Sequence, residues 1–235
     1  MKIALLGYGK MGKEIEKIAL ERGHEIVLKK TEENDYKGLE HAHVAIDFSI
    51  PTAAVQNITA CLNHNVPVVS GTTGWLNDYD NMVTLCKEKN GAFLYGSNFS
   101  VGVNLFFELN SYLAKLMSKV KEYNVSMEEI HHTQKLDAPS GTAISLAKDI
   151  ISETDYTGYT LENPSENEIL IDAKRINEVP GTHSVFYKSA VDEIEIKHTA
   201  FSRQGFALGA VVAAEWIIGK KGVFGMKDVL NLHSV

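Results

Sequence analysis

Along the first hundred residues, short apolar runs alternate with stretches in which apolar positions recur every three or four residues. "KIALLG" is apolar throughout and ends in glycine, as a strand buried on both faces does. From Lys10 to Glu21, Met11, Ile15 and Ile18 share one helical face, and Gly23 follows as a stop. "HEIVLKK", "HVAIDFS", "VPVVSG" and "GAFLYGS" repeat the strand signature. "IPTAAVQNITACLNH", with Pro51 suited to a first helical turn, and "LNDYDNMVTLCKEKN" repeat the helical one. This alternation predicts right-handed βαβ units and a doubly wound α/β domain on a parallel sheet.

Beyond residue 100 the pattern changes. "VGVNLFFELNSYLAKLM" reads as a long apolar helix. "YNVSMEEIHH" alternates, placing Tyr123, Val125, Met127, Glu129 and His131 on one face of a strand. "PSGTAISLAKDII" begins another helix, and a polar stretch, Ser152 to Asn167, shows no periodicity. "EILIDAKR", "HSVFYKS" and "DEIEIKHTA" then alternate as strands, predicting a second, α+β domain built on a mixed or antiparallel sheet with one face covered. The apolar helix "GFALGAVVAAEWIIG" can dock on either lobe.

Composition narrows the class. The chain has 235 residues, 44% apolar and 23% charged, enough for one large core or two small domains. No apolar run approaches the ~20 residues of a membrane span, and the N-terminus reads as a buried strand rather than a signal peptide, so no membrane partner is expected. Cys61 and Cys86 support neither a disulfide framework nor a zinc site; in helical stretches they read as reduced, semi-buried residues of a cytoplasmic protein. A net charge of −7 argues against nucleic acid as a main ligand while leaving room for a local basic pocket.

Candidate chemistry concentrates in two places. "GYGKMG", Gly7, Tyr8, Gly9, Lys10, Met11 and Gly12, fits G-x-G-x-x-G directly after a strand and opens a helix. Gly7 allows the tight turn, Gly9 lets backbone approach a pyrophosphate and Gly12 lets helix and strand pack closely; the alternative is a glycine turn of an ordinary α/β protein. Where such sites place an acid for the ribose 2′-OH, this chain has Lys29, Lys30 and Thr31, with Glu32 just beyond. Two ammonium groups suit a 2′-phosphate, so NADPH is expected to bind at least as well as NADH, unless the lysines are simply solvated. The segments Asp47 to Ser49, Gly71–Thr72–Thr73–Gly74 and Gly96–Ser97–Asn98–Phe99 close the other strands and line the same crevice in this reading.

The second place is "EIHHTQKLDAPSGTA", Glu129 to Ala143. His131 and His132 diverge on a strand, Pro139 bars regular pairing after it, and Lys135 falls on the following loop. The next helix offers first-turn N–H groups with the hydroxyls of Ser140 and Thr142, an anion site suited to a carboxylate. The alternative is a capped helix beside two surface histidines. Diverging histidines with no nearby cysteine or helical H-x-x-x-H give no metal site.

This stretch resembles the signature E-x-H-H-x-x-K-x-D-A-P-S-G-T-A of the 4-hydroxy-tetrahydrodipicolinate (dihydrodipicolinate) reductase family, and every fixed position matches. The resemblance extends through "GYGKMG", "AIDFS", "GTTG", "NFSVGVN", "GTHSVFY", "IEIKHTA" and "GVFGMKDVL". It implies a Rossmann-like domain over 1–102 with 206–235 returning to it, and a substrate-binding and oligomerisation domain over 103–205. It implies His131 and Lys135 as catalytic acid–base groups, His132, Ser140, Gly141 and Thr142 as substrate-binding residues, and the glycine-rich segments as the cofactor site. It further implies a homotetramer whose cleft closes on NADPH or NADH and a cyclic imine dicarboxylate. The chain departs from the pattern at Lys30 and Thr31, where the family has an acid, and at Asn177 and Thr182, in place of a glycine and an acid.

Overall fold

The computed structural model describes residues 1–31, 35–202 and 204–232. Two compact units emerge, Met1–Val101 with Gln204–Ser234, and Gly102–Arg203.

The first unit is built on a six-stranded parallel sheet. Its strands are β1 (Lys2–Leu6), β2 (Glu25–Lys30), β3 (Val44–Asp47), β4 (Val68–Ser70), β5 (Ala92–Tyr95) and β11 (Gly222–Phe224), in the order β11-β5-β4-β3-β1-β2. Residues alternate across the sheet because the side-chain period of a strand is two. Ile3 and Leu5 of β1 point into one layer and Ala4 and Leu6 into the other. The first layer is closed by α1 (Lys10–Glu21) and α6 (Gln204–Ile217), through Ile15, Ile18, Val211 and Ile217. The second is closed by α2 (Pro51–Asn63) and α3 (Tyr79–Glu88), through Ile58, Leu62 and Met82.

The apolar α6, ambiguous by pattern, therefore packs in the first unit. Gly209 makes its close approach possible: a Cβ there would lie 1.7 Å from the Phe99 carbonyl oxygen. Cys61 and Cys86, expected to be semi-buried, are both fully enclosed, because each lies on the inward face of its helix against the second layer.

The second unit carries a five-stranded mixed sheet, ordered β10-β9-β6-β8-β7. It comprises β6 (Asn124–His131), β7 (Gly158–Thr160), β8 (Glu168–Arg175), β9 (Gly181–Lys188) and β10 (Glu193–Ala200). The helices α4 (Val101–Met117) and α5 (Gly141–Glu153) supply Phe106, Ala114, Leu146 and Ile150 to a core with Val125, Met127, Ile169, Ile171, Val185 and Tyr187. β7 lies inside the polar stretch Ser152 to Asn167; short and on the sheet edge, it has no buried face to create periodicity. The same reason hides β11, an edge strand of three residues, which is followed by α7 (Met226–Val229).

Candidate functional site

In the first unit, the glycine turn between β1 and α1 is set by steric contact. Gly7 has φ +96, and a Cβ there would lie 2.3 Å from the Phe48 carbonyl oxygen. A Cβ on Gly12 would lie 2.3 Å from the Gly7 carbonyl oxygen, so no larger residue allows helix and turn to close together. Nothing lies within 4 Å of a Cβ built on Gly9, which is exposed at the N-cap of α1. The result is an α-helix N-terminus with open space before it, the arrangement that accepts a phosphate group. A cavity of about 360 Å³ opens there, lined among others by Gly7, Gly9, Lys30, Phe48, Ser49 and Asn57, and Tyr8 and Thr31 share its wall. These observations fit a pyridine dinucleotide.

The paired lysines part company. Lys29 is held by Glu16, 2.5 Å away, and lies over the Tyr8 ring, whose hydroxyl also meets Glu16. Lys30 stands at the cavity wall, 4.8 Å from the centre of the Tyr36 ring. Lys10 and Met11 occupy the first turn of α1. Glu32 lies outside the described residues.

The segments closing β3 and β4 meet α2 around a buried carboxylate. Asp47 is fully enclosed and accepts hydrogen bonds from Ser49 Oγ (2.7 Å), Asn57 Nδ2 (2.8 Å), Ser70 Oγ (2.8 Å) and Thr72 Oγ1 (2.8 Å). Burial raises its pKa, and these neutral donors only partly offset that. Thr72 is thus occupied with Asp47, whereas Thr73 and Ser97 are exposed. Gly71 lies beneath the Phe48 ring and Phe99 belongs to the core, 5.5 Å from that ring, while Gly96 and Asn98 are half-buried beside it in sequence.

In the second unit, β6 ends at His131, and the alternation of that strand drives Glu129 and His131 inward with Val125 and Met127. Strand register does the rest. Glu129 lies opposite His183 of β9, and His131 opposite Arg175 of β8. Glu129 Oε1 accepts from Arg175 Nη2 at 3.1 Å, and Oε2 accepts the Ser140 N–H at 3.0 Å, with His183 Nε2 3.7 Å away. Burial alone would raise the Glu129 carboxyl; His183, Ser140 and Arg175 together outweigh it and hold the group at about 2.

His131 is 7% exposed, and its Nδ1 lies 3.6 Å from Glu129 Oε2 with no hydrogen-bond partner among the described residues. Burial first, then His183, with smaller effects of Lys135 and Arg175, bring it down to about 4 against the opposing pull of Glu129. It is therefore a neutral imidazole at neutral pH. Its Nε2 faces Gly181, where an added Cβ would lie 3.1 Å away.

Glu129, His131 and His183 bring ligand-type atoms within 4.8 Å of one another, the metal-like cluster among the described residues. Arg175 and Ser140 already engage both carboxylate oxygens, so the negative charge a cation would need is balanced from within the chain.

The loop after β6 carries the remaining groups. His132 borders a cavity of about 620 Å³ with Thr133, Gln134, Asn177, Glu178 and Pro180. Asn177, one of the departures from the family pattern, accepts from Thr133 Oγ1 at 3.0 Å and ties the two walls together. Thr182, the other, is buried in β9 opposite Ile130. Lys135 Nζ donates to both oxygens of Asp137, each at 2.7 Å, and holds that carboxyl below its usual range.

Ser140 caps α5 through the Ala143 N–H (3.2 Å) and lies 3.1 Å from His183 Nε2; it is 2% exposed. Gly141 and Thr142 open the helix, and a Cβ on Gly141 would meet nothing within 4 Å. Their amides are the ones a helix leaves unsatisfied at its start. Arg175 and His183 are not among the expected site residues, although His183 lies within the "GTHSVFY" segment that carries the resemblance and Arg175 closes "EILIDAKR".

Comparison with known proteins agrees along the whole chain. A family model described as "Dihydrodipicolinate reductase, N-terminus" matches residues 1–99, and one described as "Dihydrodipicolinate reductase, C-terminus" matches residues 102–230. A 4-hydroxy-tetrahydrodipicolinate reductase of Christiangramia forsetii is 57% identical over 235 residues, covering 98% of each chain. One from Methanoregula boonei is 36% identical, covering 81% of this chain and 75% of the relative. Among solved structures, a dipicolinate-bound dihydrodipicolinate reductase from Paenisporosarcina sp. TG-14 aligns with a TM-score of 0.75 at 22% identity, over 97% of this chain and 98% of that one. A probable dehydrogenase from Thermotoga maritima aligns at 0.58 and 10% identity, over 97% and 92%, and shares the fold.

Proposed function

Because the chain belongs to the dihydrodipicolinate reductase family, we propose that it reduces 4-hydroxy-tetrahydrodipicolinate to tetrahydrodipicolinate in lysine and diaminopimelate synthesis. The chain is an oxidoreductase of a pyridine-nucleotide-dependent family. In this reading, loss of the 4-hydroxyl as water leaves C=C conjugated with the ring imine. NADPH or NADH, held at the Gly7 to Gly12 turn, would supply the hydride that adds at C4, with electron density passing to the ring nitrogen. A proton delivered to C3 completes the reduction.

The residues divide the work. Gly7 to Gly12, with the α1 N-terminus, hold the pyrophosphate, and Lys30 faces a 2′-phosphate while Lys29 is committed to Glu16. His132 and the Gly141 and Thr142 amides bind the substrate carboxylates, which compete with Asp137 for Lys135. Lys135 delivers the proton. His131, neutral at working pH, shapes and polarises the pocket rather than acting as an imidazolium acid. Ser140 acts from behind, as the cap that sets the first turn of α5.

The observation that carries this reading is the placement of an ammonium and an open helix N-terminus on one loop–helix corner of the second unit, within a fully matched signature. The test is turnover with freshly made substrate, followed by the fall in NADPH absorbance. Lys135→Ala should lower kcat by roughly 10²–10⁴ with dinucleotide affinity unchanged; parallel loss of dinucleotide affinity would count against it. We also read the chain as a homo-oligomer, a tetramer, in line with exposed Leu105, Leu109, Tyr112 and Leu116 along α4. A monomeric mass in solution would reject that.

A further inference from the structure

The loop 132–140 links the end of β6 to the start of α5 and carries Lys135. It is pinned from beneath by one ion pair. The register that sets Arg175 opposite His131 starts the guanidinium beside the loop. Its Nη2 reaches Glu129 Oε1 at 3.1 Å and the Asp137 carbonyl at 2.6 Å, while Nε reaches the Lys135 carbonyl at 3.3 Å. Glu129 Oε2 takes the Ser140 N–H at 3.0 Å, at the far end of the same loop. Glu129 is fully buried and the Arg175 side chain is 21% exposed, so the pair is largely withdrawn from water.

We infer that Glu129 and Arg175 are positioning residues for Lys135: together they fix the loop backbone at Lys135, Asp137 and Ser140, and so aim the ammonium and seat the α5 N-terminus against the same ligand. The inference deepens the reading of Lys135 as proton donor and rests on it. The chemistry calls for arginine. One planar guanidinium holds a carboxylate and two carbonyls at fixed angles, which a single ammonium on a flexible stem does not reproduce. A donor displaced by about 1 Å costs roughly 10²-fold in rate.

The test is a double-mutant cycle on the full chain, using wild type, Arg175→Lys, Lys135→Ala and the double variant. kcat and KM are read at high enzyme concentration, with NADPH affinity measured in parallel. Arg175→Lys should lower kcat by roughly 10- to 10²-fold, leave NADPH affinity unchanged, and cost nothing further once Lys135 is alanine. A purely structural role would reduce activity by the same factor in both backgrounds. Losses that multiply, or unchanged turnover in Arg175→Lys, overturn the positioning role and leave Lys135 in place. Full turnover in Lys135→Ala overturns the proton-donor reading itself, and the positioning role with it. If Arg175→Lys does not fold, Glu129→Gln, which keeps the volume and one acceptor oxygen, takes its place in the cycle with the same expected outcomes.

Discussion

Asp47 in the first unit and Glu129 in the second are both fully buried, both lie near the carboxyl end of a strand, and both stand beside a candidate site, yet their charges are stabilised in opposite ways. Asp47 is surrounded by hydroxyls and an amide, and burial raises its pKa. Glu129 meets a guanidinium, a backbone N–H and an imidazole, which hold it at about 2 despite its burial. Burial alone does not fix the state of a carboxylate; the set of donors that meets it decides the outcome, an imidazole, the Ser140 N–H and a guanidinium at Glu129 against hydroxyls and an amide at Asp47. Asp47 ties loops together with neutral hydrogen bonds. Glu129 is half of an ion pair that anchors the loop carrying Lys135.

The contrast can be broken most directly by truncation. Glu129→Ala leaves Arg175 without its partner and should destabilise the protein by about 3–5 kcal/mol, read from the denaturant midpoint. Asp47→Asn keeps the shape and one acceptor oxygen, and the Ser70 and Thr72 hydroxyls can turn to accept from the new NH2, so it should cost no more than about 1 kcal/mol. Equal costs would erase the distinction.

Acid sharpens it next. Because the pKa of Glu129 is depressed when folded, its contribution is complete above its ordinary value of 4.5 and disappears as pH falls toward about 2. The shift is worth about 3 kcal/mol. Stability measured over that window should fall less steeply in Glu129→Gln than in wild type.

Asp47 has the opposite sign. Its pKa is raised, so its favourable contribution is present at low pH and is lost as pH rises through the folded value. The stability of Asp47→Asn relative to wild type should therefore improve from acid toward neutral pH; a constant difference would show that Asp47 titrates alike in both states.

The smallest effect belongs to the rim of the first unit's cavity. Lys30→Glu should shift the NADPH-to-NADH affinity ratio about tenfold toward NADH, or roughly 1.4 kcal/mol, while leaving both buried carboxylates and the melting temperature unchanged. An unaltered ratio would remove Lys30 from cofactor selection.

Much of this was legible in the chain itself. Strict alternation and 3.6-residue periodicity are local properties, so the parallel sheet, the glycine turn at Gly7 to Gly12 and the inward pairing of Glu129 with His131 on β6 follow from neighbouring residues. What periodicity does not encode is which strand lies next to which. Arg175, 46 positions from Glu129, and His183 reach that carboxylate only through the registers of β6 with β8 and β9. The edge strands β7 and β11, three half-buried residues each, are too short to show a pattern, and the docking of α6 in the first unit rests on its buried face, with Val211 and Ile217 in that core and Gly209 in close approach to Phe99. Sequence determined the elements and the chemistry each could carry. Tertiary structure decided whether that chemistry is charged, because charge depends on neighbours that only long-range pairing supplies.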